Sequence, residues 1–344
     1  MKKAGIIGAT GYAGVELVRL LLSHPDVEIG AISSVSFEGK SISEIYPNLL
    51  DILDTALLTE QEVIDRCDII FAAVPHGLSQ ELARKCKTGG KLFIDLGADF
   101  RLYEEADYKQ WYKGEYVYPE LHREAVYALP ELYEEKIASA KVIGNPGCYP
   151  TTVALGLAPM LKKKAIDPDT IIIDSKSGVT GAGRGLTQNT HYPDCNEAFS
   201  PYKIAEHRHT PEIEQTLSDL YGEKVTVTFV PHLLPVNRGI ESTIYAKLVE
   251  NFSIEEILES YKAFYKDKKF VRILPRGQIA NIKNVRCSNY CDISLHLDAR
   301  TRRLIVVSCI DNMVKGAAGQ AIQNMNIAMG FAQDAGLCLI PPAF

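Results

Sequence analysis

Apolar positions in the first half of the chain follow two different periods. Short apolar runs typical of buried strands occupy residues 3–7, 27–32, 68–74 and 91–96. Segments with helical spacing lie between them, at residues 14–23 and 78–86. Strands that alternate with helices predict a parallel sheet covered on both faces. We therefore predict an α/β fold whose first domain, residues 1–147, is a Rossmann-type doubly wound parallel sheet.

The second half has a different pattern, in which strand candidates lie close together. They are residues 170–174, 224–230, 242–249, 271–274, 292–298 and 303–310. Helical spacing appears at 211–220 and 254–265. This pattern predicts an α+β domain with a mostly antiparallel sheet over residues 148–312. Residues 313–330 are interpreted as a long amphipathic helix, so that segment 313–344 would return to the first domain.

Composition narrows the class of protein. The chain has 344 residues, 46% hydrophobic and 23% charged, which is typical of a globular protein of about two domains. A net charge of -6 without a Lys/Arg block argues against nucleic acid or an anionic membrane as partner. No apolar run approaches the ~20 residues of a bilayer span. The amino terminus begins like a signal peptide, but its apolar stretch is interrupted by glycines within a few residues. We therefore expect a cytoplasmic protein.

The cysteines do not form a metal-binding or disulfide pattern. The chain has 8 of them, with no paired zinc spacing, so no metal site is predicted. Four are interpreted as buried structural thiols, namely Cys67, Cys86, Cys309 and Cys338.

A glycine-rich turn separates the first strand from the first helix. Glycines at this point let the backbone approach a pyrophosphate, which the free N–H groups of the helix then stabilise. The spacing is G-x-x-G-x-x-G, so the position in the first βα turn carries the interpretation. The predicted cofactor contacts are Gly8, Thr10, Gly11, Tyr12, Ala13 and Gly14. The alternative is a purely structural tight turn.

The end of the second strand indicates which nicotinamide cofactor binds. An NAD enzyme usually carries Asp or Glu there to hold the ribose hydroxyls. This chain has Ser33 and Ser34 instead, with Lys40 nearby, which leaves room for a 2′-phosphate. We predict NADP as the cofactor and assign Ser33 and Ser34 to its contacts.

Cys148 is the candidate nucleophile. Pro146 and Gly147 break the chain before it, and an apolar helical stretch ending in lysines follows it. A thiol at a helix amino terminus is stabilised as thiolate, and a pKa ~2 units below the free value of ~8.5 would make the thiolate dominant at pH 7. The alternative is a buried structural cysteine.

Two histidines supply a candidate acid/base. His207 and His209 lie two residues apart before an amphipathic helix, with carboxylates on both sides. Metal ligation is the weaker interpretation because no third ligand stands at a zinc spacing. Thr210 is expected to cap the helix.

The remaining candidate contacts are assigned by chemistry. Small or polar residues in loops are assigned to the cofactor, namely Pro75, Ser177, Gly178, Gly181 and Asn312. Guanidinium groups match anionic oxygens, so we assign Arg101 and Arg184 to the substrate. Asn145 and Glu212, which flank the cysteine and follow the histidines, are also assigned to the substrate.

Six segments together resemble the N-acetyl-gamma-glutamyl-phosphate reductase family, within the aspartate-semialdehyde dehydrogenase superfamily. They are residues 8–14, 96–101, 144–151, 177–184, 207–213 and 315–320. The resemblance implies NADPH-dependent reduction of N-acetyl-L-glutamyl 5-phosphate to the 5-semialdehyde plus phosphate in arginine biosynthesis, through a thioester on Cys148. It also assigns NADP binding to the first domain, to which segment 313–344 returns, and catalysis, substrate binding and oligomer contacts to residues 148–312. The resemblance further implies a homo-oligomer, dimer or tetramer, with His207 and His209 in the active site. We expect His209 to be the acid/base, with His207 as the second choice.

Two other functions remain open. A sister enzyme would reduce aspartyl phosphate, or the aminoadipyl phosphate of lysine biosynthesis, with the same cysteine chemistry. A redox-sensing regulator would bind NADP and use Cys148 as a switch, without turnover of any acyl phosphate.

Overall fold

The computed structural model describes all 344 residues and divides into two compact units. The first unit comprises Met1–Pro146 and Ala317–Cys338, and the second comprises Gly147–Gly316 and Leu339–Phe344. Among its helices there is none with the length and apolar character that a membrane span requires.

The first unit is built on a parallel sheet. Its strands are β1 (Lys2–Ile7), β2 (Val27–Ser33), β3 (Leu57–Leu58), β4 (Ile69–Ala72), β5 (Leu92–Asp95), β6 (Val126–Tyr127) and β7 (Val142–Gly144). They lie in the order β3-β2-β1-β4-β5-β7-β6, and every neighbouring pair is parallel. Adjacent residues Ile6 and Ile7 point to opposite faces, and both are buried. The predicted parallel sheet, covered on both faces, is confirmed.

Seven helices connect and cover these strands. They are α1 (Tyr12–Leu21), α2 (Ile42–Ile45), α3 (Glu60–Arg66), α4 (Ser79–Thr88), α5 (Glu105–Tyr112), α6 (Pro119–Glu124) and α7 (Pro130–Ile137). Val63 of α3, Leu82 of α4 and Phe93 of β5 belong to one buried apolar cluster. Burial of such side chains stabilises a fold by about 1.5–3 kcal/mol each.

The second unit contains a mixed sheet. Its strands are β8 (Ile166–Gly178), β9 (Ser200–Pro201), β10 (Thr228–Leu234), β11 (Ile240–Leu248), β12 (Val271–Ile273), β13 (Cys291–Asp298) and β14 (Arg303–Ile310). The order is β12-β13-β14-β11-β8-β10-β9. Only β12–β13 and β8–β10 are parallel, so the predicted mostly antiparallel sheet is confirmed.

The second unit has four α-helices, and the longest of them forms its core. They are α8 (Cys148–Lys162), α9 (Tyr192–Cys195), α10 (Thr210–Tyr221) and α11 (Ile254–Phe264). Residues 149–161 of α8 are all buried. Gly156 brings α8 close to the sheet, because a Cβ there would lie 3.0 Å from Ile244 of β11 and 3.4 Å from Ser308 of β14.

Two predicted strand bounds are wrong. Strand β8 continues past residue 174 to Gly178, because β10 and β11 pair with it along that length. The strand predicted at 224–230 begins only at Thr228. The N–H of Val225 donates to the Ser218 hydroxyl and that of Val227 donates to the Glu214 carboxylate, so α10 takes the donors that a strand ladder would use.

The prediction of one long amphipathic helix over 313–330 is also wrong, both in the helix bounds and in the exposure of its polar residues. Residues Val314–Ala318 form a π-helical turn, and α12 (Gly319–Met329) follows it. Polar and apolar residues of α12 are buried alike over 319–327. The polar ones have partners in the first unit: Asn324 donates to Ala128 O at 2.8 Å, and Asn326 donates to Gln333 O at 3.1 Å. Internal hydrogen bonds therefore replace the solvent that an amphipathic face would need.

Candidate active site

Cys148 is the first residue of α8, as the sequence predicts. Gly147 takes an extended conformation as the N-cap, and no side chain caps the helix. The first turn contains no acidic residue. The thiol is half-buried, so it stays accessible. Free N–H groups at a helix amino terminus stabilise a thiolate, so the local structure suits a nucleophile.

Glu212 holds the backbone next to this cysteine. Its Oε1 accepts a hydrogen bond from the N–H of Gly147 at 2.7 Å, and its side chain is fully buried on α10. The sequence assigns Glu212 to the substrate. In the structure its carboxylate fixes the residue that precedes Cys148.

The histidine pair lies at the start of α10. His209 is the N-cap, and the helix begins at Thr210. Thr210 is therefore not the cap, which corrects the sequence prediction: its hydroxyl is buried without a hydrogen-bond partner because the residue is already within the first turn. His209 is half-buried, whereas His207 is buried.

The hydrogen bonds of His207 fix its tautomer. Its Nδ1 accepts the backbone N–H of His209 at 3.1 Å, so the proton of the neutral ring lies on Nε2. That Nε2 stands 3.3 Å from the hydroxyl of Tyr202. Burial, followed by the charges of Lys203 and Arg208, lowers the pKa of His207 to about 3.

Two tyrosines extend this chain of hydrogen bonds. The hydroxyls of Tyr202 and Tyr149 are 3.2 Å apart, and Tyr149 donates to the carbonyl of His232 at 3.3 Å. The Tyr149 ring also meets the rings of His207 and His209 edge-on, at centroid distances of 5.5 and 5.9 Å. Sequence reasoning missed both tyrosines. Tyr149 follows the cysteine and could have been considered, whereas no sequence signal marks Tyr202.

The glycine-rich turn of the first unit has the geometry that a pyrophosphate needs. Gly8 has φ +84°, and a Cβ on it would lie 2.4 Å from Ala73 O. A Cβ on Gly14 would lie 2.2 Å from Gly8 O, so neither position admits a side chain. Helix α1 begins at Tyr12 with Gly11 as N-cap and no capping side chain. Its free N–H groups fit a dinucleotide pyrophosphate. Thr10 lies in the same turn, and Tyr12 and Ala13 are the first two residues of α1.

Ser33 and Ser34 close the end of β2. The hydroxyls of Ser34 and Thr10 are 2.6 Å apart, which ties the strand end to the glycine-rich turn. The Ser33 hydroxyl is buried and has no hydrogen-bond partner. No carboxylate occupies this strand end.

Two buried aspartates anchor the exposed loop that contains Pro75. Asp99 accepts the N–H groups of Gly77 at 2.6 Å and Ser79 at 2.9 Å. Asp95 accepts the Ser79 hydroxyl at 2.6 Å. Burial, followed by the neighbouring Asp99, raises the pKa of Asp95. Sequence reasoning did not assign these aspartates, because only the fold shows that they meet this loop.

Arg101 and Asn145 lie together in the first unit and bind their own chain. Arg101 is buried and donates to the carbonyls of Asn145 at 2.8 Å and Leu96 at 2.9 Å. The Asn145 amide donates to Ala317 O at 3.1 Å and accepts from Asn324 at 3.0 Å. The other predicted anion contact, Arg184, is exposed in the second unit.

The remaining predicted cofactor contacts cluster in the second unit. Asn312 accepts the N–H of Gly239 at 2.7 Å and donates to the Thr180 hydroxyl at 2.9 Å, so it braces the 3-10 turn Val179–Ala182. Gly181 belongs to this turn.

Ser177 and Gly178, the other two predicted cofactor contacts of this unit, end β8. A Cβ on Gly178 would lie 2.7 Å from Asn237 O.

The structural cysteines divide into two groups. Cys67, Cys86 and Cys309 are buried as predicted, and burial raises the pKa of Cys67 to about 11 and of Cys86 to about 12. Cys338 is exposed, so its prediction as a buried structural thiol is wrong. It lies beyond α12 in an irregular segment, where its sulfur donates to Asp334 at 3.3 Å.

Comparisons with known proteins place these features in one family. The model for the semialdehyde dehydrogenase NAD binding domain matches residues 3–140, and that for the semialdehyde dehydrogenase dimerisation domain matches 148–312. The N-acetyl-gamma-glutamyl-phosphate reductases of Brachyspira hyodysenteriae and Clostridium beijerinckii are 63% and 58% identical to this chain, each over 100% of both proteins.

Solved structures share the fold at low identity. An aspartate semialdehyde dehydrogenase II from Vibrio cholerae, complexed with ASA, has a TM-score of 0.73 at 15% identity and covers 96% of this chain and 98% of its own. An aspartate semialdehyde dehydrogenase from Candida albicans, with NADP, has a TM-score of 0.69 at 17% identity and covers 97% and 99%.

Proposed function

We propose that this chain, which belongs to the N-acetyl-gamma-glutamyl-phosphate reductase family, reduces N-acetyl-L-glutamyl 5-phosphate to the 5-semialdehyde and phosphate. It would serve arginine biosynthesis in the cytoplasm. The observation that carries the proposal is an accessible cysteine at the uncapped amino terminus of a buried helix, with its loop held by Glu212. Simple alcohol oxidation needs no such nucleophile.

The first step is acyl transfer to Cys148. The thiolate forms a C–S bond with the acyl carbonyl, the C–O bond to phosphate breaks, and phosphate leaves with the bonding electrons. The N–H groups in the first turn of α8 lower the free energy needed to ionise the thiol before the attack. Glu212 keeps Gly147 in the extended conformation from which α8 starts.

The second step reduces the thioester. The nicotinamide cofactor, when bound, supplies the hydride. Hydride adds to the thioester carbon, and His209 protonates the former carbonyl oxygen to give a thiohemiacetal. On collapse His209 takes that proton back, the C–S bond breaks with its electrons on sulfur, and the aldehyde and the Cys148 thiolate are released. The structure favours His209 over His207 for this role, because His207 is buried and its two ring nitrogens face His209 N–H and Tyr202.

The cofactor of this proposal is NADP. The end of β2 carries hydroxyls where NAD enzymes usually carry a carboxylate, so no negative charge repels a 2′-phosphate. The buried Ser33 hydroxyl without a partner and the exposed Lys40 support the same choice.

A homo-oligomer formed through the second sheet is part of the proposal. One face of this sheet packs on α8 through Ile244 and Val306. Residues that alternate with these are only half-buried, such as Tyr245 and its cross-strand neighbour Ile305. Ile172, which also pairs with Tyr245, is 41% exposed. An antiparallel sheet with apolar residues on its open face suits the same face of a second copy.

The reverse reaction tests the substrate and cofactor together. We expect N-acetylglutamate 5-semialdehyde, phosphate and NADP to yield NADPH. Aspartate semialdehyde and the carrier-bound aminoadipate semialdehyde should react much more slowly in its place, and so should the first substrate when NAD replaces NADP. C148S should bind NADPH normally and give no turnover. Faster reaction of either other semialdehyde would favour a sister enzyme. Nucleotide binding without turnover of any semialdehyde would favour the redox regulator.

A further inference from the structure

Gly316 lies directly against Cys148. A Cβ built on Gly316 would be 2.7 Å from the Cβ of Cys148 and 3.2 Å from its Cα. Cβ atoms in proteins essentially never lie within 3.0 Å of a heavy atom outside their own residue and its chain neighbours. Because glycine has no side chain, the backbone of the π-helical turn Val314–Ala318 can contact the start of α8 at position 316.

The turn that carries Gly316 is anchored and cannot move aside easily. The Asp311 carboxylate accepts the N–H groups of Met313 at 2.8 Å and Val314 at 3.0 Å. The N–H of Gly316 donates to the carbonyl of Asp311 at 3.0 Å. Asp311 is fully buried, and its second oxygen accepts the N–H of Cys287 at 2.6 Å.

Cys148 is equally constrained on its other side. Gly147 is held by Glu212, and the Thr151 hydroxyl donates to the Gly147 carbonyl at 2.9 Å. The contact therefore joins two fixed backbone segments, and the overlap involves the Cβ and Cα of Cys148 rather than the end of a flexible side chain. A methyl group at 316 has to be accommodated by a displacement of the cysteine itself.

We propose that Gly316 is a positioning residue for Cys148, which rests on the proposed role of Cys148 as nucleophile. The bare backbone of the π turn sets where the first residue of α8 lies, and so where its sulfur stands relative to the helix N–H groups and the acyl carbon. Single π turns occur often at functional sites. Here the turn supplies a rigid surface beneath the nucleophile.

The test compares G316A with G156A. Both variants add one methyl group to a tightly packed glycine of the second unit, but Gly156 packs on Ile244 and Ser308 in the middle of α8. For each variant we would measure kcat, KM, the melting temperature, and the alkylation rate of Cys148 against pH. Alkylation is followed on the Cys148 peptide by mass spectrometry, because Cys195, Cys287 and Cys338 are also not buried.

G316A should lower kcat by about 10- to 100-fold, the loss expected when a reacting group moves by up to ~1 Å. The midpoint of its alkylation profile should move toward that of a free thiol. G156A should keep both properties within about twofold of the wild type, whatever its melting temperature. A folded G316A protein with normal kcat and an unchanged alkylation profile would overturn the proposal.

D311N provides a second route if G316A does not fold. An amide NH2 replaces the oxygen that accepts the Cys287 N–H, and the charge that pairs with Arg238 is lost, so the residue that anchors the turn loses its own support without added volume. We expect several-fold lower kcat with a shifted alkylation profile. A folded D311N with neither change would also contradict the proposal. These outcomes differ from failure of the proposed function, in which C148S itself would retain turnover.

Discussion

The two histidines next to the site differ in what surrounds them. His207 is neutral over the working range, since burial and nearby cations lower its pKa to about 3 and the Nδ1 contact fixes its proton on Nε2. His209 is half-buried at the helix start. A partly exposed imidazole is a better candidate for proton exchange with a bound substrate than one buried against its own chain.

Asparagine variants of the two histidines separate their roles. H209N should lower kcat by ~10²–10⁴-fold, the usual contribution of general acid catalysis, and should flatten one limb of the pH–rate profile. H207N should lower kcat less and keep both limbs, because a group with pKa about 3 does not titrate between pH 5 and 9. Steady-state kinetics across that range check this prediction. A flattened limb in H207N with a normal profile in H209N would reverse the assignment.

Residue types were predicted from the sequence more easily than their partners. The breaks at Pro146 and Gly147 indicated a helix start at Cys148, because that signal is local. The contacts of Glu212, Arg101 and Asn145 could not be predicted. Each meets backbone groups that only the folded chain brings near, such as Gly147 N–H for Glu212 and Ala317 O for Asn145.

At the scale of elements, strands followed from apolar runs, whereas their ends did not. The end of β8 depends on pairing with β10 and β11. Helix α12 shows a further limit: its asparagines and glutamines indicate a solvent face in the sequence, yet they are buried against hydrogen-bond partners in the fold. Side-chain polarity alone does not report exposure when the polar groups have internal partners.

The end of β2 offers a test of cofactor choice. S34D would place a carboxylate beside Thr10, where a 2′-phosphate is expected. Binding of NADPH should weaken by at least tenfold, because like charges repel, while NADH binding changes little. S34A controls for loss of the hydrogen bond to Thr10. Fluorescence titration measures both affinities, and equal weakening of both cofactors would contradict the assigned 2′-phosphate position.

At the scale of the whole molecule, the open face of the second sheet determines the expected assembly. I305E would place a charge on that face, beside Tyr245. It should reduce the molar mass in solution to that of a smaller species, since burying an unpaired charge costs several kcal/mol. V35E, at an 84% exposed position of the first unit, is the control. Light scattering after size-exclusion chromatography gives the mass, and an unchanged I305E assembly would exclude this face as the interface.

Trapping of the acyl-enzyme tests the central claim most directly. The protein is mixed with N-acetyl-L-glutamyl 5-phosphate in the absence of nicotinamide nucleotide, quenched in acid, and measured by intact and peptide mass spectrometry. The account predicts one N-acetylglutamyl group per chain, located on the peptide that contains Cys148, absent in C148S and removed when NADPH is added before the quench. Phosphate release without an adduct on Cys148, or an adduct on another residue, would contradict it.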